Sequence, residues 1–238
     1  MAPNKAELMM EALMAFNRKE RYHVLRHAVL GGPMTLSDRF RQDLERVLGW
    51  ESSTIPDNAY VAMDYHLDWI SSAYQLAGRG SGIKSTSTKE FANYPNKKSK
   101  PVISGNQEDT DLMVAFPEGE RVVLIFIEAK ADTPWKLDQI QSKGKRLKSV
   151  FGKYADSKKL VKPKLVLLGP TETDFSREKL KKDCPSWFFV NSTVPSLSMS
   201  PSRELYKPTR THKEKNGDYL KWKLERSRNF EPDKDEAE

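Results

Sequence analysis

Asp111-Leu-Met-Val-Ala-Phe-Pro-Glu-Gly-Glu-Arg-Val-Val-Leu-Ile-Phe-Ile-Glu-Ala-Lys130 reads as two strands joined by a turn. Leu112 to Phe116 is apolar, Pro117-Glu118-Gly119-Glu120 carries turn chemistry, and Arg121 to Ile127 is apolar on both faces. A strand apolar on both faces is covered on both sides, which predicts a central strand of an α/β sheet, not a one-sided surface sheet. That strand ends in Glu128-Ala129-Lys130. Alternate side chains share a face, so Glu128 and Lys130 emerge together where burial without a partner is costly.

With the turn centred on Glu118 and Gly119, residues whose numbers sum to 237 face each other, pairing Asp109 with Glu128 and Asp111 with Phe126. Asp109, Asp111, Glu128 and Lys130 then lie on one face. Converging carboxylates repel unless a divalent ion such as Mg²⁺, which favours hard oxygen ligands and retained waters, lies between them.

Outward from the hairpin, Thr133 and Pro134 suggest a helix start, with Leu137, Ile140, Gly144, Leu147 and Phe151 forming one stripe. Lys164 to Leu168 reads as a further buried strand and Trp187 to Val190 as a fourth. Tyr219 to Leu224 alternates like an edge strand. Upstream, Asn4 with Glu7 and Asn17 with Glu20 suggest capped helices, and Gly31-Gly32-Pro33 stops the preceding one. Ser37 caps a helix carrying Phe40, Leu44, Val47 and Leu48. A helix is expected over 59–77, striped by Met63, Leu67, Ile70, Tyr74 and Ala77. The chain thus divides into an N-terminal helical section (1–77), a basic loop (78–107) with a short strand near Pro101 to Ser104, a core (108–225) and an acidic, disordered tail (226–238).

This segment resembles the PD-(D/E)XK, or restriction-endonuclease-like, nuclease superfamily. There an acid opens one strand of a hairpin, Glu-x-Lys ends the next, and a helix and another strand follow. Residues 111 to 168 keep that order, with Glu128 placed 17 positions after Asp111. Thr110 stands where the motif's proline would be, which leaves the first acid shared between Asp111 and Asp109. The resemblance implies an α/β fold with a central mixed sheet flanked by helices, and DNA cleavage by a metal-activated water. It implies that Asp111 and Glu128 bind Mg²⁺ (Mn²⁺ substituting), with the Ala129 carbonyl as a further ligand, and that Lys130 polarises the attacking water. An auxiliary glutamine falls on Gln139 or Gln141.

Composition agrees with a polyanionic partner. The chain has 238 residues with 40 Lys and Arg against 33 Asp and Glu. Without the last eight residues, five of them acidic and one basic, 39 bases face 28 acids, a formal charge of +11. A basic body suits nucleic acid, whose phosphates release counterions on binding. Lys143 and Arg146 on the helix after the motif, and Lys84, Lys97 and Lys98 of the basic loop, are the expected phosphate contacts. DNA is the expected partner, with RNA and a homodimer left open. The mean hydropathy of −0.70, one cysteine and no signal-peptide pattern or ~20-residue apolar span predict a soluble, cytoplasmic chain.

Weaker candidates are Asp64, His66 and Asp68, the two acids sharing a helix face at i, i+4, with Glu45 competing for the role of an extra acid. Arg18, Lys19 and Arg21 form a basic cluster. Two other readings stay open: a nuclease-fold module that binds nucleic acid or protein without cleaving, and a basic interaction protein in which Glu128 and Lys130 merely pair.

Overall fold

A computed structural model describes residues 3–83, 90–93, 101, 103–105, 108–131, 133, 135–152, 159–170, 174–180, 184–199, 206–213, 217 and 219–226. Lys84, Lys97 and Lys98 and the acidic end lie outside these. Helices α1 (Lys5–Phe16), α2 (Glu20–Leu25, running into a π turn over Arg26–Leu30) and α3 (Asp38–Leu48) precede the first strand. Then come β1 (Tyr60–His66), α4 (Leu67–Gly78), β2 (Asp109–Glu118), β3 (Arg121–Ala129), α5 (Leu137–Phe151) and β4 (Val161–Gly169). α6 (Arg177–Leu180), a 3₁₀ turn (Ser186–Phe188), β5 (Ser196–Ser198), β6 (Tyr206–Lys213) and β7 (Tyr219–Arg226) complete the order.

Five strands form one mixed sheet in the order β1-β2-β3-β4-β5, antiparallel through β3 and parallel from β3 to β5. Val122 to Ile127 of β3 are completely buried. The reason is visible in the two apolar layers: Leu124 and Phe126 pack with residues of α1, α4 and α5, while Val123, Ile125 and Ile127 pack with Leu44 and Leu48 of α3. The doubly apolar strand is central, as its sequence predicts. The hairpin, helix and parallel strand follow one another in the expected order.

The hairpin register differs by one residue per strand from the expected one. Glu118 pairs with Arg121 and Leu112 with Ile127, so partner numbers sum to 239. The loop is Gly119-Glu120, and Gly119 at φ +61 takes its first position, where a two-residue hairpin loop needs left-handed backbone. Because both sums are odd, Asp109, Asp111, Glu128 and Lys130 still share a face. Continuing the register sets Asp111, not Asp109, opposite Glu128.

The largest correction concerns residues 59–77. Only Leu67–Gly78 is helical; Tyr60–His66 is a strand paired to β2. Tyr60-Val-Ala-Met is as compatible with a strand as with a helix, and ladder bonding to β2 decides. Asp64 and Asp68 therefore do not share a helix face. Three smaller differences follow. α2 has Lys19, not Asn17, at its N-cap position, and the Asn17 carboxamide instead accepts the Lys19 N–H at 3.3 Å.

α5 begins at Leu137, after an extended Lys136, and not at Thr133. Trp135 lies against Gly169, where a Cβ would stand 3.2 Å from the indole nitrogen, so the chain folds over β4 before the helix can start. Trp187 and Phe188 sit in a 3₁₀ turn while Ser196–Ser198 supplies the fifth strand, and Pro101, Ile103 and Ser104 are not in a strand. The capping box of Asn4 with Glu7 and the Ser37 cap are present. Among the described residues no helix is long and apolar enough to cross a membrane.

Candidate active site

Where β2 begins and β3 ends, two carboxylates stand on neighbouring strands. The Asp111 Oδ2 accepts the Ala129 N–H at 2.6 Å, which ties the first acid to the backbone just after Glu128. Asp111 itself remains exposed to solvent, whereas the Glu128 side chain keeps only 12% of its surface. Burial pushes the Glu128 carboxyl up to about 7; Lys143 opposes that shift and the Asp111 charge adds to it.

Lys143 Nζ lies 3.1 Å from Glu128 Oε1, an ion-pair distance, yet no donor among the described residues is aligned to hydrogen-bond that oxygen. The same ammonium donates to the Asp109 carbonyl at 2.6 Å and lies 3.7 Å from Glu108. α5 presents Lys143 here because Ile140, Gly144 and Leu147 are buried against the sheet and Lys143 borders that stripe. Gly144 permits the close seating on the other side: a Cβ there would stand 2.7 Å from the Cys184 sulfur.

The remaining candidates are placed as follows. Asp109 is held by Lys19 at 2.8 Å. Lys130 lies over the Trp135 ring, 5.4 Å from its centroid, so the cation touching Glu128 comes from the helix and not from Glu-x-Lys itself. Gln139, exposed and one turn before Lys143, shares its helix face; Gln141 points away from it. Ala129 pairs with Leu168 of β4.

Arg146, one turn beyond Lys143, is paired with Asp68 at the start of α4, and Asp68 also accepts the Ser104 N–H at 2.9 Å and the Gly105 N–H at 3.0 Å. Asp64 occupies the β1 position skipped between Met63↔Leu112 and Tyr65↔Thr110, beside Asp111, but its φ is +50 and it faces Arg21 at 3.4 Å. His66 packs on Trp69 with centroids 4.8 Å apart. Glu45 clamps a loop, accepting the N–H groups of Ser53 and Ile55 at 3.2 and 2.8 Å. Among the described residues, no group of three or more His, Cys, Asp or Glu comes together to hold a metal ion.

Two relations escape sequence reasoning: Lys143 as the partner of Glu128, and Lys19 as the partner of Asp109. The available signal for the first is a basic residue bordering the buried stripe of the helix that follows the strand. No protein-family model, curated protein or solved structure matches the chain.

Proposed function

We propose that the chain is a metal-dependent nuclease of PD-(D/E)XK type, cleaving phosphodiester bonds in DNA in the cytoplasm, with Asp111 and Glu128 as its metal-holding acids. The observation that carries this is the hairpin's end: Leu112 pairs with Ile127, the next positions are Asp111 and Glu128, Asp111 accepts the Ala129 N–H, and Lys143 lies 3.1 Å from Glu128. The hairpin, the following helix and the parallel β4 support the restriction-endonuclease-like reading of the mixed sheet.

The residues present suit Mg²⁺. Two carboxylates are what Mg²⁺ takes from protein while keeping several waters, and the Glu128 Oε1 is a buried anionic oxygen with no hydrogen bond of its own. Asp111 and Glu128 would hold the ion, with the Ala129 carbonyl as a further oxygen and Asp109 kept in reserve by Lys19. When bound, Mg²⁺ or Mn²⁺ supplies a water of lowered pKa and a positive centre for the scissile phosphate. Lys143 opposes the protonation of Glu128 that burial favours, and a bound ion would take the place of that proton. Lys130 and Gln139 orient the attacking water, and Lys130 adds positive charge where the oxyanion develops. Lys143, beside Glu128, adds positive charge toward a phosphate backbone, while Arg146 is taken up by Asp68.

One observation favours a second reading, a non-cleaving nucleic-acid-binding module: Lys143 already partners Glu128, and among the described residues no third acid completes a metal-holding group with the pair. Plasmid, linear duplex and single-stranded DNA incubated with the protein in Mg²⁺, Mn²⁺ or EDTA separate the two. Cleavage that needs the metal and disappears in Glu128→Ala and Lys130→Ala supports the nuclease. Cleavage surviving either substitution removes this mechanism, and binding without cleavage in every condition establishes the second reading.

A further inference from the structure

β6 and β7 form a two-stranded sheet of their own, outside the sheet that carries Glu128. Their register pairs Tyr206 with Arg226, Pro208 with Leu224 and Arg210 with Trp222 on one face. Lys207 with Glu225, Thr209 with Lys223 and Thr211 with Lys221 occupy the other. An antiparallel ribbon whose apolar face packed on a core would bury its aromatics. Here Tyr206, Trp222 and Leu224 are 54%, 68% and 59% exposed. Large apolar side chains gathered on one open face mark a binding surface.

Charge selects the partner. Among the described side chains of the ribbon are the cations Lys207, Arg210, Lys221, Lys223 and Arg226 and one acid, Glu225, which Lys223 at 2.8 Å and the Thr209 hydroxyl at 2.9 Å engage. A ribbon this basic attracts a polyanion. The two faces are closer than the Debye length of ~8 Å at physiological salt, so lysines on one face strengthen the potential on the other. A lipid surface fits poorly, because Arg210 and Arg226 lie among the apolar residues and would enter the hydrocarbon with them. Arginines interleaved with aromatic rings match unpaired bases, which offer a ring to stack on and a phosphate beside it.

We propose that the β6–β7 face bearing Tyr206, Arg210, Trp222 and Leu224 binds single-stranded nucleic acid. Trp222 and Tyr206 stack on bases, Arg210 and Arg226 hold phosphates on the same face, and Lys207, Lys221 and Lys223 supply long-range attraction. The inference rests on the nuclease reading only for the choice of nucleic acid as the polyanion, and names where the strand is held.

The test is fluorescence anisotropy of the full chain with labelled single-stranded and duplex DNA in EDTA, alongside phosphatidylserine vesicles. The expected result is preference for the single strand, weakened roughly tenfold by Trp222→Ala, as loss of one stacking platform implies. Trp222→Phe keeps the binding. Joint Lys207→Gln, Lys221→Gln and Lys223→Gln lowers the slope of log affinity against log salt by about 2. Wild-type binding by Trp222→Ala, equal loss in Trp222→Phe, or Trp222-dependent binding of vesicles in place of DNA overturns the proposal. Binding in EDTA needs neither metal nor Glu128. A chain that binds in this way and cleaves nothing would remove the nuclease reading and leave the ribbon's role standing.

Discussion

Two acids meet cations from the same helix, one turn apart, and they are treated differently. Asp68 receives Arg146, the hydroxyl and N–H of Ser104 and the N–H of Gly105, so its oxygens are enclosed by donors. Glu128 receives one ammonium at 3.1 Å and the favourable influence of Thr110, has no donor aligned to Oε1 among the described residues, and has its carboxyl raised by burial to about 7. A fully bonded buried carboxylate is a structural fastening; an under-bonded one beside a second acid retains lone pairs for a ligand. On the proposed reading, architecture falls to Asp68 and chemistry to Glu128.

The sharpest way to break the comparison is to exchange the expected consequences of removing each acid. Glu128→Gln should lower metal-dependent cleavage by at least about 10³-fold, as loss of a group that stabilises developing charge does. Its thermal unfolding should remain cooperative. Asp68→Ala should instead destabilise the fold by roughly 3–5 kcal/mol, because Arg146 is left buried without its carboxylate. Denaturant titration measures this, and cleavage per folded molecule should persist. Loss of activity without loss of stability in Asp68→Ala would reverse the two roles.

A smaller effect is written in pH. The Glu128 carboxyl holds its proton in the folded chain to about 7, against an ordinary 4.5, so between those values the folded state binds more protons than the unfolded. Stability from this group therefore falls as pH rises through that window, by at most about 3 kcal/mol, and is level above it. Glu128→Gln should flatten that slope. Mg²⁺ competes with the same proton, so its stabilising effect should grow up to pH 7 and then level off. Thermal melts across pH 5 to 8, with and without Mg²⁺, measure both trends. The smallest expected effect is in Gln139→Ala, which leaves Lys143 in place and should slow cleavage by about 10-fold or less, while Gln141→Ala, on the other side of the helix, should leave it unchanged.

The two regions also differed in how much their sequences disclosed. β2 and β3 are legible because Val122 to Ile127 is short, β-branched and bounded by a turn, which favours a strand buried on both faces, and Gly119 marks that turn. That alternation places Asp111 and Glu128 on one face without knowledge of the rest of the molecule. The register was harder, since it depends on which two residues form the loop. The sequence extends the helix of Asp68 back over Asp64, because Tyr60-Val-Ala-Met carries apolar residues at spacings that suit either a helix or a strand, and pairing with β2 makes Asp64 a strand residue. The Lys143 contact depends on how α5 rotates over the sheet, which is set by Ile140, Gly144 and Leu147 packing together. The ribbon of β6 and β7 shows only weak alternation in sequence, because neither face is packed on a core.

Calorimetric titration of Mn²⁺ into the wild-type chain, Asp111→Asn and Glu128→Gln at a pH above 7 tests the central claim most directly. The account predicts a bound ion in the wild type and loss of that binding in both variants. Undiminished binding in either variant would contradict it.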